Sequence, residues 1–243
     1  MSKGVKSFFE SHYHRYVDRP DFYLSIAKEI KKVLPDGRRL AFLDVGCGDG
    51  GFIKAMIEQG IEADYLATDL SLNMLLKASA NLVNYDVDLF QADAFQLSLK
   101  ESRKFDIIHI DSVLHHLIGK TRGESLELVK KMLNTLLDRL SSNGILIVEE
   151  VYYDSYLLST ITSFFVFYGL KLINFLNLDL SFTREIRPGL EVNFLHERQL
   201  IKILDHFGTS ITLLNKEIWE LPSVYQLFLL KERGHITYTA KRN

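Results

Sequence analysis

The chain has 243 residues, of which 47% are hydrophobic and 25% are charged, and its formal net charge is −2. This length and composition are typical of one globular domain with a sizeable core. The nearly balanced charge gives no indication of a broad phosphate-binding surface, so we expect no DNA partner, and RNA is disfavoured. The single cysteine, Cys47, excludes an intramolecular disulfide and a cysteine-based zinc site, and we predict no metal. The polar first ten residues do not resemble a secretory leader, which favours the cytoplasm.

Helical and extended patterns alternate along the first 150 residues. Two N-terminal helices are predicted over 5–17 and 21–34, and a Pro-Asp-Gly turn ends the second. Short apolar runs then predict strands, at 40–45, 65–68, 87–90, 105–110 and 145–148. Apolar residues at helical spacing predict the helices between them, at 52–57, 71–82 and 124–140. This alternation predicts an α/β fold with a doubly wound, mostly parallel sheet and helices on both faces.

The alternation breaks after the fifth strand. Residues 152–195 are rich in Leu, Ile and Phe and predict a helical insertion followed by a polar loop. The remaining elements are a helix and two strands, predicted at 196–207, 211–214 and 225–230. No linker divides the chain. We therefore predict a single domain, residues 1–243, that carries an N-terminal helical lid over about 1–35.

The glycine-rich stretch after the first strand carries most of the functional information. Glycines between a strand and a helix permit a tight turn and a close approach of the backbone to a ligand. Two patterns compete here. The dinucleotide pattern G-x-G-x-x-G is satisfied by Gly46, Gly48 and Gly51. The pattern D-x-G-x-G-x-G is satisfied by Asp44, Gly46, Gly48 and Gly50, with Cys47 between the first two glycines. This second pattern resembles motif I of the class I S-adenosylmethionine-dependent methyltransferases.

Asp44 favours the second pattern, because a carboxylate at a strand end suits a cationic amino acid moiety and does not suit a pyrophosphate. Asp69 follows the second predicted strand and can accept hydrogen bonds from both hydroxyls of a ribose, which serves NAD and S-adenosylmethionine equally well. Next to it, Leu70 is expected to contact the cofactor. Asp93, Ala94 and Phe95 resemble the adenine-binding acidic loop of the same family. The resemblance implies that Asp93 accepts from the adenine amino group while Ala94 and Phe95 line the base.

The resemblance covers about residues 40–151 in the family's order. The segments 105–117 and 143–148 resemble the family's fourth strand and the entry to its fifth strand. The implied fold is a Rossmann-like sheet of seven strands whose last strand is antiparallel. The implied cofactor is S-adenosylmethionine, with S-adenosylhomocysteine as the product. An NAD oxidoreductase is a weaker alternative, since Asp44 and the predicted adenine loop fit it poorly.

Three positions after the fourth strand are candidates for the chemistry. His115 and His116 are the candidate general bases, which a hydroxyl or phenol acceptor would need. Asp111 is a candidate carboxylate on the cofactor or the acceptor side, and His109, within the strand, is interpreted as a core histidine. The family's Asn/Asp-Pro-Pro-aromatic motif is replaced here by Asp-Ser-Val-Leu, which disfavours methylation of a nucleobase or amide nitrogen.

Two peripheral segments bear on the acceptor. Tyr13 and Tyr16 lie in a stretch that resembles the aromatic lid helix of small-molecule members, and one of them is expected to cover the cofactor. The alternative is a helix that packs its aromatic residues against the core. The apolar stretch 156–178 contains Lys171 and several Ser, Thr and Asn residues, which argues against a membrane span. Its alternatives are a lid, a dimer face and a peripheral membrane contact. We predict methylation of a small, apolar or aromatic molecule; the alternatives are an RNA or protein methyltransferase and a non-catalytic cofactor-binding module.

Overall fold

The computed structural model describes most of the chain. The described residues are 10, 19–34, 38–97, 99–100, 102–156, 158–176, 191–221 and 229–243. The predicted helix at 5–17, including Tyr16, lies outside this part of the chain apart from Glu10. Most of the strand predicted at 225–230 also lies outside it.

One mixed sheet forms the centre of the molecule. Its strands are β1 (Leu40–Val45), β2 (Ala63–Asp69), β3 (Val87–Gln91), β4 (Phe105–Asp111), β5 (Leu140–Ser155), the two-residue β6 (Leu195–His196), β7 (Thr209–Ile218) and β8 (Leu230–Arg242). Seven of them follow the order β3-β2-β1-β4-β5-β8-β7, and β6 pairs with β5. β8 is antiparallel to both of its neighbours, and the other described pairings are parallel. The predicted doubly wound sheet with an antiparallel last strand is confirmed.

Helices cover both faces of this sheet. They are α1 (Pro20–Val33), α2 (Gly51–Glu58), α3 (Leu72–Asn81), α4 (Arg122–Leu137), α5 (Ser159–Phe175) and α6 (Glu197–His206). Alternate residues of each strand point to opposite faces. Phe42 and Ile107 pack in one apolar cluster with residues of α1 and α2. Leu43 and Ile108 pack in a second cluster with residues of α4 and α6. The core therefore consists of two apolar layers separated by the sheet.

Local polar contacts fix where the helices begin. The Ser71 hydroxyl accepts from the Met74 N–H at 3.3 Å and caps α3, and the Thr121 hydroxyl accepts from the Glu124 N–H at 3.2 Å and caps α4. Such caps each contribute about 1 kcal/mol to helix stability. α2 begins directly after Gly50, which has a left-handed backbone and no side chain to cap the helix, and Asp49 Oδ1 accepts from the Gly51 N–H at 3.1 Å. The later N–H groups of the first turn of α2 are of the kind that can bind a ligand.

The closing part of the sheet differs from the prediction. β8 occupies Leu230–Arg242 rather than 225–230, and β5 extends over Leu140–Ser155 rather than 145–148. Charged residues at both ends of β8 hide its apolar alternation, in which Ile236, Tyr238 and Ala240 are buried on one face. The predicted helical insertion contains α5. Among the described residues, no helix combines the length and the hydropathy that a membrane crossing requires.

Candidate functional site

The site is built where the parallel strands end. β1, β2, β4 and β5 run in the same direction, so their carboxyl ends meet at one edge of the sheet. The glycine-rich loop leaves β1 at this edge and leads into α2. In open α/β sheets, ligands bind in the crevice outside the carboxyl ends of the strands. This edge also holds the described residues that the sequence nominates for a site.

The glycine-rich loop adopts a conformation that only glycine takes without strain. Gly46, Gly48 and Gly50 have φ angles of +77°, +56° and +80°. The N–H groups of Gly46 and Cys47 both donate to the carbonyl oxygen of Thr68, at 2.8 and 3.0 Å. The loop is thereby attached to the end of β2. A Cβ atom at Gly46 would lie 2.4 Å from the Val113 side chain, so space as well as backbone geometry requires glycine there.

Asp69 braces the loop from the end of β2. Its Oδ2 accepts from the Gly48 N–H at 3.0 Å, and its Oδ1 accepts from the Ser71 N–H at 2.8 Å. Burial raises the pKa of Asp69 to about 6, although these two N–H donors oppose the rise. Each carboxylate oxygen can accept a further hydrogen bond. Asp69 therefore combines a structural role in the loop with free acceptor capacity for a ligand.

The predicted base-binding residues lie beside Asp69. The Ala92 N–H donates to the Asp69 carbonyl oxygen at 3.1 Å, which joins the loop after β3 to the end of β2. Within that loop, the Asp93 carboxylate accepts from the Phe95 N–H at 2.9 Å. Ala94 is buried and Phe95 is half-buried. Leu70, also half-buried, follows Asp69, so the structure brings these five predicted residues to adjacent loops.

Asp44 is buried inside the protein, unlike an acidic residue in an exposed loop. It is buried at the end of β1, and its Oδ1 accepts from His109 Nδ1 at 2.7 Å. The other ring nitrogen of His109 lies 3.1 Å from Glu149 Oε1 on β5. The ring also stacks on Phe52, with the centroids 3.7 Å apart. Burial alone would lower the pKa of His109, but the two carboxylates outweigh burial and raise this pKa to about 10. The histidine interpreted as a core residue is buried, and it is charged.

A second set of contacts surrounds Asp111 at the end of β4. The carboxylate accepts from Tyr23 Oη at 3.2 Å and from His235 Nε2 at 3.1 Å, and the Arg19 guanidinium lies 3.4 Å away. Burial would raise the pKa of Asp111, yet the hydrogen bond and charge of His235, together with Arg19, hold it below its usual range. The sequence analysis nominates Asp111 but none of these partners. Arg19, Tyr23 and His235 belong to no motif, and their positions along the chain give no indication of the contact.

Three of the side chains described above lie close enough together to be considered as ligands for a metal ion. Asp111, Glu149 and His235 bring three ligating atoms within 4.8 Å of one another. The carboxylates in this set already have cationic partners, since Arg19 lies beside Asp111 and the His109 imidazolium beside Glu149. We therefore interpret the set as part of a buried ion-pair network.

The two candidate bases occupy a buried 3₁₀ turn, Leu114–His116, just after β4. His115 Nδ1 lies 2.5 Å from Glu150 Oε1, and the His115 N–H donates to Glu150 Oε2 at 3.2 Å. Burial, together with the neighbouring His115, lowers the pKa of His116 well below its usual value. His116 is therefore neutral, as a general base must be before it accepts a proton. A catalytic role for either histidine stays a prediction.

Cys47 lies within the glycine-rich loop and is buried. Burial, with the neighbouring carboxylates of Asp44 and Asp69, raises the pKa of its thiol well above the usual range. A thiol is a weak nucleophile until it is deprotonated. The environment of Cys47 therefore suits a small packed residue rather than a nucleophile.

The central part of the chain matches a known protein family. Residues 43–146 match the family described as methyltransferase domain. An uncharacterized protein of Haemophilus influenzae is 30% identical over 123 residues, which are 49% of this chain and 44% of that protein. The chain therefore matches less than half the length of this relative.

Solved structures share the fold over nearly the whole chain. The YcgJ protein of Bacillus subtilis superposes with a TM-score of 0.61 at 14% identity, over 90% of this chain and 98% of that one. The magnesium protoporphyrin IX methyltransferase of Synechocystis PCC 6803, solved with bound SAH, gives a TM-score of 0.58 at 18% identity, over 98% of both chains. At these identities the likeness establishes a common fold.

The glycine-rich loop yields a first prediction. We expect Gly46→Ala to lower the melting temperature, because a left-handed backbone costs a non-glycine residue about 1–2 kcal/mol and the new Cβ would meet Val113. Gly169→Ala is the matched control: nothing lies within 4 Å of a Cβ at this position in α5. Alanine should stabilise that helix by up to about 1 kcal/mol. Thermal unfolding followed by circular dichroism measures both. Equal melting temperatures for Gly46→Ala and the wild type would contradict the tight packing described for the loop.

Proposed function

We propose that this chain is a class I methyltransferase that transfers a methyl group from S-adenosylmethionine to a small, apolar or aromatic acceptor; the match of residues 43–146 to the methyltransferase domain family supports the proposal. One observation carries the proposal. The left-handed glycine loop is attached to the end of β2, with a buried carboxylate beneath it and a ribose-type acid at its side. The activity itself rests on this geometry and on the family, and the experiments below test it.

The charge around the loop favours S-adenosylmethionine over a dinucleotide. Asp44, Asp69 and Asp111 all lie at the carboxyl edge beside the loop, and Asp69 accepts directly from Gly48. S-adenosylmethionine presents a sulfonium and an ammonium group, which these carboxylates attract. A pyrophosphate would be repelled by the same groups in a weakly screened environment. SAH bound to the Synechocystis enzyme, which has this fold, supports the same assignment.

We assign the parts of the cofactor to residues already brought together. Asp44 and Asp111 would face the amino acid end, Asp69 the ribose hydroxyls, and Asp93 with Phe95 the adenine. Glu10 adds support for a lid, because its carboxylate accepts from the Leu72 N–H at 2.8 Å, three residues beyond Asp69. Glu10 thus lies next to the proposed ribose site. Tyr16, six residues further along, is proposed to cover the cofactor.

The chemistry requires alignment more than activation. The methyl group of a sulfonium has a neutral thioether as its leaving group, so the enzyme must mainly hold the acceptor in line and exclude water. For a hydroxyl acceptor, the oxygen forms the new bond to carbon while the carbon–sulfur bond breaks, and the hydroxyl proton passes to a base. His116 is the proposed base because it is neutral, and His115 is held in place by Glu150.

The proposed acceptor class rests on α5 and its position. Several large apolar side chains of this helix are about half exposed or more: Ile161, Phe164, Phe165, Leu172 and Phe175. Lys171 of the same helix donates to the carbonyl oxygens of Gly119 and Lys120, at 3.2 and 3.0 Å, just after the turn that holds His115 and His116. α5 is thus anchored beside the candidate bases. An apolar wall there would select an apolar or aromatic acceptor.

The binding experiment tests the cofactor. We expect titration calorimetry to show micromolar S-adenosylhomocysteine binding by the wild type and no binding of NAD. Asp69→Asn should lower the affinity for S-adenosylhomocysteine by about tenfold or more, because a neutral amide replaces the carboxylate that accepts from two hydroxyl donors. Asp86→Asn, an exposed acid between β2 and β3, is the matched control and should bind normally. Binding of NAD but not of S-adenosylhomocysteine would refute the methyltransferase proposal.

The raised pKa of Asp69 predicts a pH dependence. The ribose hydroxyls donate to the ionised carboxylate, so the ligand favours the deprotonated form. Affinity for S-adenosylhomocysteine should therefore be constant above pH 7 and fall as the pH drops below about 6, approaching tenfold per pH unit. Calorimetry in buffers of different ionisation enthalpy should detect proton release near pH 6. In Asp69→Asn this release should disappear, and a wild-type affinity that stays flat down to pH 5 would argue against ribose binding by Asp69.

Acceptor class is tested by turnover. We expect S-adenosylhomocysteine to form when S-adenosylmethionine is supplied with a panel of apolar phenols, amines and carboxylic acids, and not with RNA or with a mixed protein substrate. His116→Ala should lower kcat for a phenol acceptor by about 10²-fold or more and change cofactor affinity little. His206→Ala, at an exposed position outside the proposed site, is the matched control and should leave kcat unchanged. Turnover with RNA or protein alone would replace the small-molecule assignment.

A further inference from the structure

His109 has an unusual position for a histidine. It lies in β4, which pairs with β1 and β5 in the middle of the sheet, and only 2% of the residue is exposed. Strand positions of this kind ordinarily hold apolar residues. Here the ring is clamped between Asp44 of β1 and Glu149 of β5 while its face stacks on Phe52. These three residues, Asp44, His109 and Glu149, are called the buried triad below.

The geometry of the buried triad fixes the charge of the ring. A neutral imidazole has one N–H donor and one acceptor nitrogen, whereas an imidazolium has two donors. Both nitrogens of His109 face carboxylate oxygens, at 2.7 and 3.1 Å. Only the imidazolium satisfies both contacts by donating twice. With both carboxylates ionised, the buried triad carries one net negative charge, which burial and the neighbouring Asp111 oppose by raising the pKa of Glu149.

Two buried oxygens of the triad make no hydrogen bond among the described residues. One is Glu149 Oε2, which still lies 4.0 Å from the His235 ring, and the other is Asp44 Oδ2. Asp44 immediately precedes Val45 and the glycine-rich loop. A buried, charged acceptor without a donor costs free energy, so such an atom indicates a missing donor. A cationic N–H donor bound at the loop would satisfy Asp44 Oδ2 and also neutralise the excess charge of the triad.

We propose that His109 is a positioning residue for the cofactor: its ring holds Asp44 Oδ1 by a 2.7 Å hydrogen bond and thereby orients Asp44 Oδ2 beneath the glycine-rich loop, so that this oxygen accepts a hydrogen bond from the cofactor's ammonium group. This inference rests on the proposed function. Without the imidazolium, two buried carboxylates would face each other across β4 with no donor between them, and their repulsion would displace Asp44 from this orientation. A displaced Asp44 would lose its hydrogen bond to the ammonium group. His109 thus acts on the cofactor through Asp44 and touches neither reactant.

Charged groups on neighbouring elements also face the buried triad: Asp111 on β4, His235 on β8 and Arg19 before α1. With a pKa of about 10 in the folded protein against an ordinary value of 6.5, His109 holds its proton throughout the neutral range. A histidine pKa that folding raises contributes stability that is complete below pH 6.5 and is lost as the pH rises through 10. The triad is therefore intact at the pH at which binding is measured.

The test separates the ammonium group from the rest of the cofactor. His109→Gln and the wild type are titrated with S-adenosylhomocysteine and with 5′-methylthioadenosine, which lacks the amino acid end. We expect His109→Gln to lower the affinity for S-adenosylhomocysteine at least tenfold and the affinity for methylthioadenosine less than twofold. Asp44→Asn should show the same selective loss, and the double variant should lose no more than either single variant. The exposed His206→Gln is the matched control and should bind both ligands normally.

Each other outcome has a distinct meaning. An equal loss for both ligands, or no loss for either, overturns the positioning role while leaving the methyltransferase proposal intact. Failure of the wild type to bind S-adenosylhomocysteine contradicts the proposed function and removes the inference with it. If His109→Gln does not fold, nitrogen-15 NMR of the wild type decides. Two protonated ring nitrogens at pH 8 support the triad, and a neutral His109 ring at that pH overturns it.

Discussion

Buried charge must be compensated, and this requirement organises the carboxyl edge of the sheet. Three carboxylates, from Asp44, Asp111 and Glu149, lie beside the glycine-rich loop with little exposure to water. Their cationic partners come from separate elements: His109 from β4 and Arg19 from the residue before α1. Isolated ions in such surroundings would cost several kcal/mol each. Arg19, just before α1, and His235, on β8, both contact Asp111 and so connect these two elements to the same set of acids.

Asp44, together with Asp69 at the end of β2, connects the fold to the proposed ligand. Asp69 holds the loop through the Gly48 N–H and keeps acceptor capacity for hydroxyl donors, while Asp44 is fixed through His109. Carboxylates that are already held in place need no rearrangement when a ligand binds. Binding therefore costs less conformational entropy than it would with mobile side chains. The backbone contributes as well, since the left-handed glycines bring N–H groups and the start of α2 close to the ligand without any intervening side chain.

Local patterns predicted most of this framework. The glycine spacing, the acid at the end of β2 and the alternation of strand and helix are each contained within a few residues, and the structure confirms the sheet that they predict. The partners of Asp111 were missed because they lie 88 to 124 residues away along the chain. Pairing at such separation depends on strand order and register, which no local pattern encodes. Most of β8, beyond Leu230, was missed for a related reason: its charged ends face ion-pair partners on neighbouring strands, such as Asp154 beside Lys231.

His109 shows most clearly what a local sequence pattern cannot predict. Its place within an apolar strand correctly indicated burial, but the strand pattern could not reveal that both ring nitrogens meet carboxylates from other strands. Stability alone does not account for such a triad, because replacing a buried ion-pair set with apolar side chains of similar volume is often neutral or stabilising. Removing one member, in contrast, leaves an uncompensated charge. With both carboxylates ionised, the triad has one net negative charge, and neither Asp44 Oδ2 nor Glu149 Oε2 makes a hydrogen bond among the described residues. The ammonium end of S-adenosylmethionine has the charge and the donors that the proposed site at Asp44 calls for.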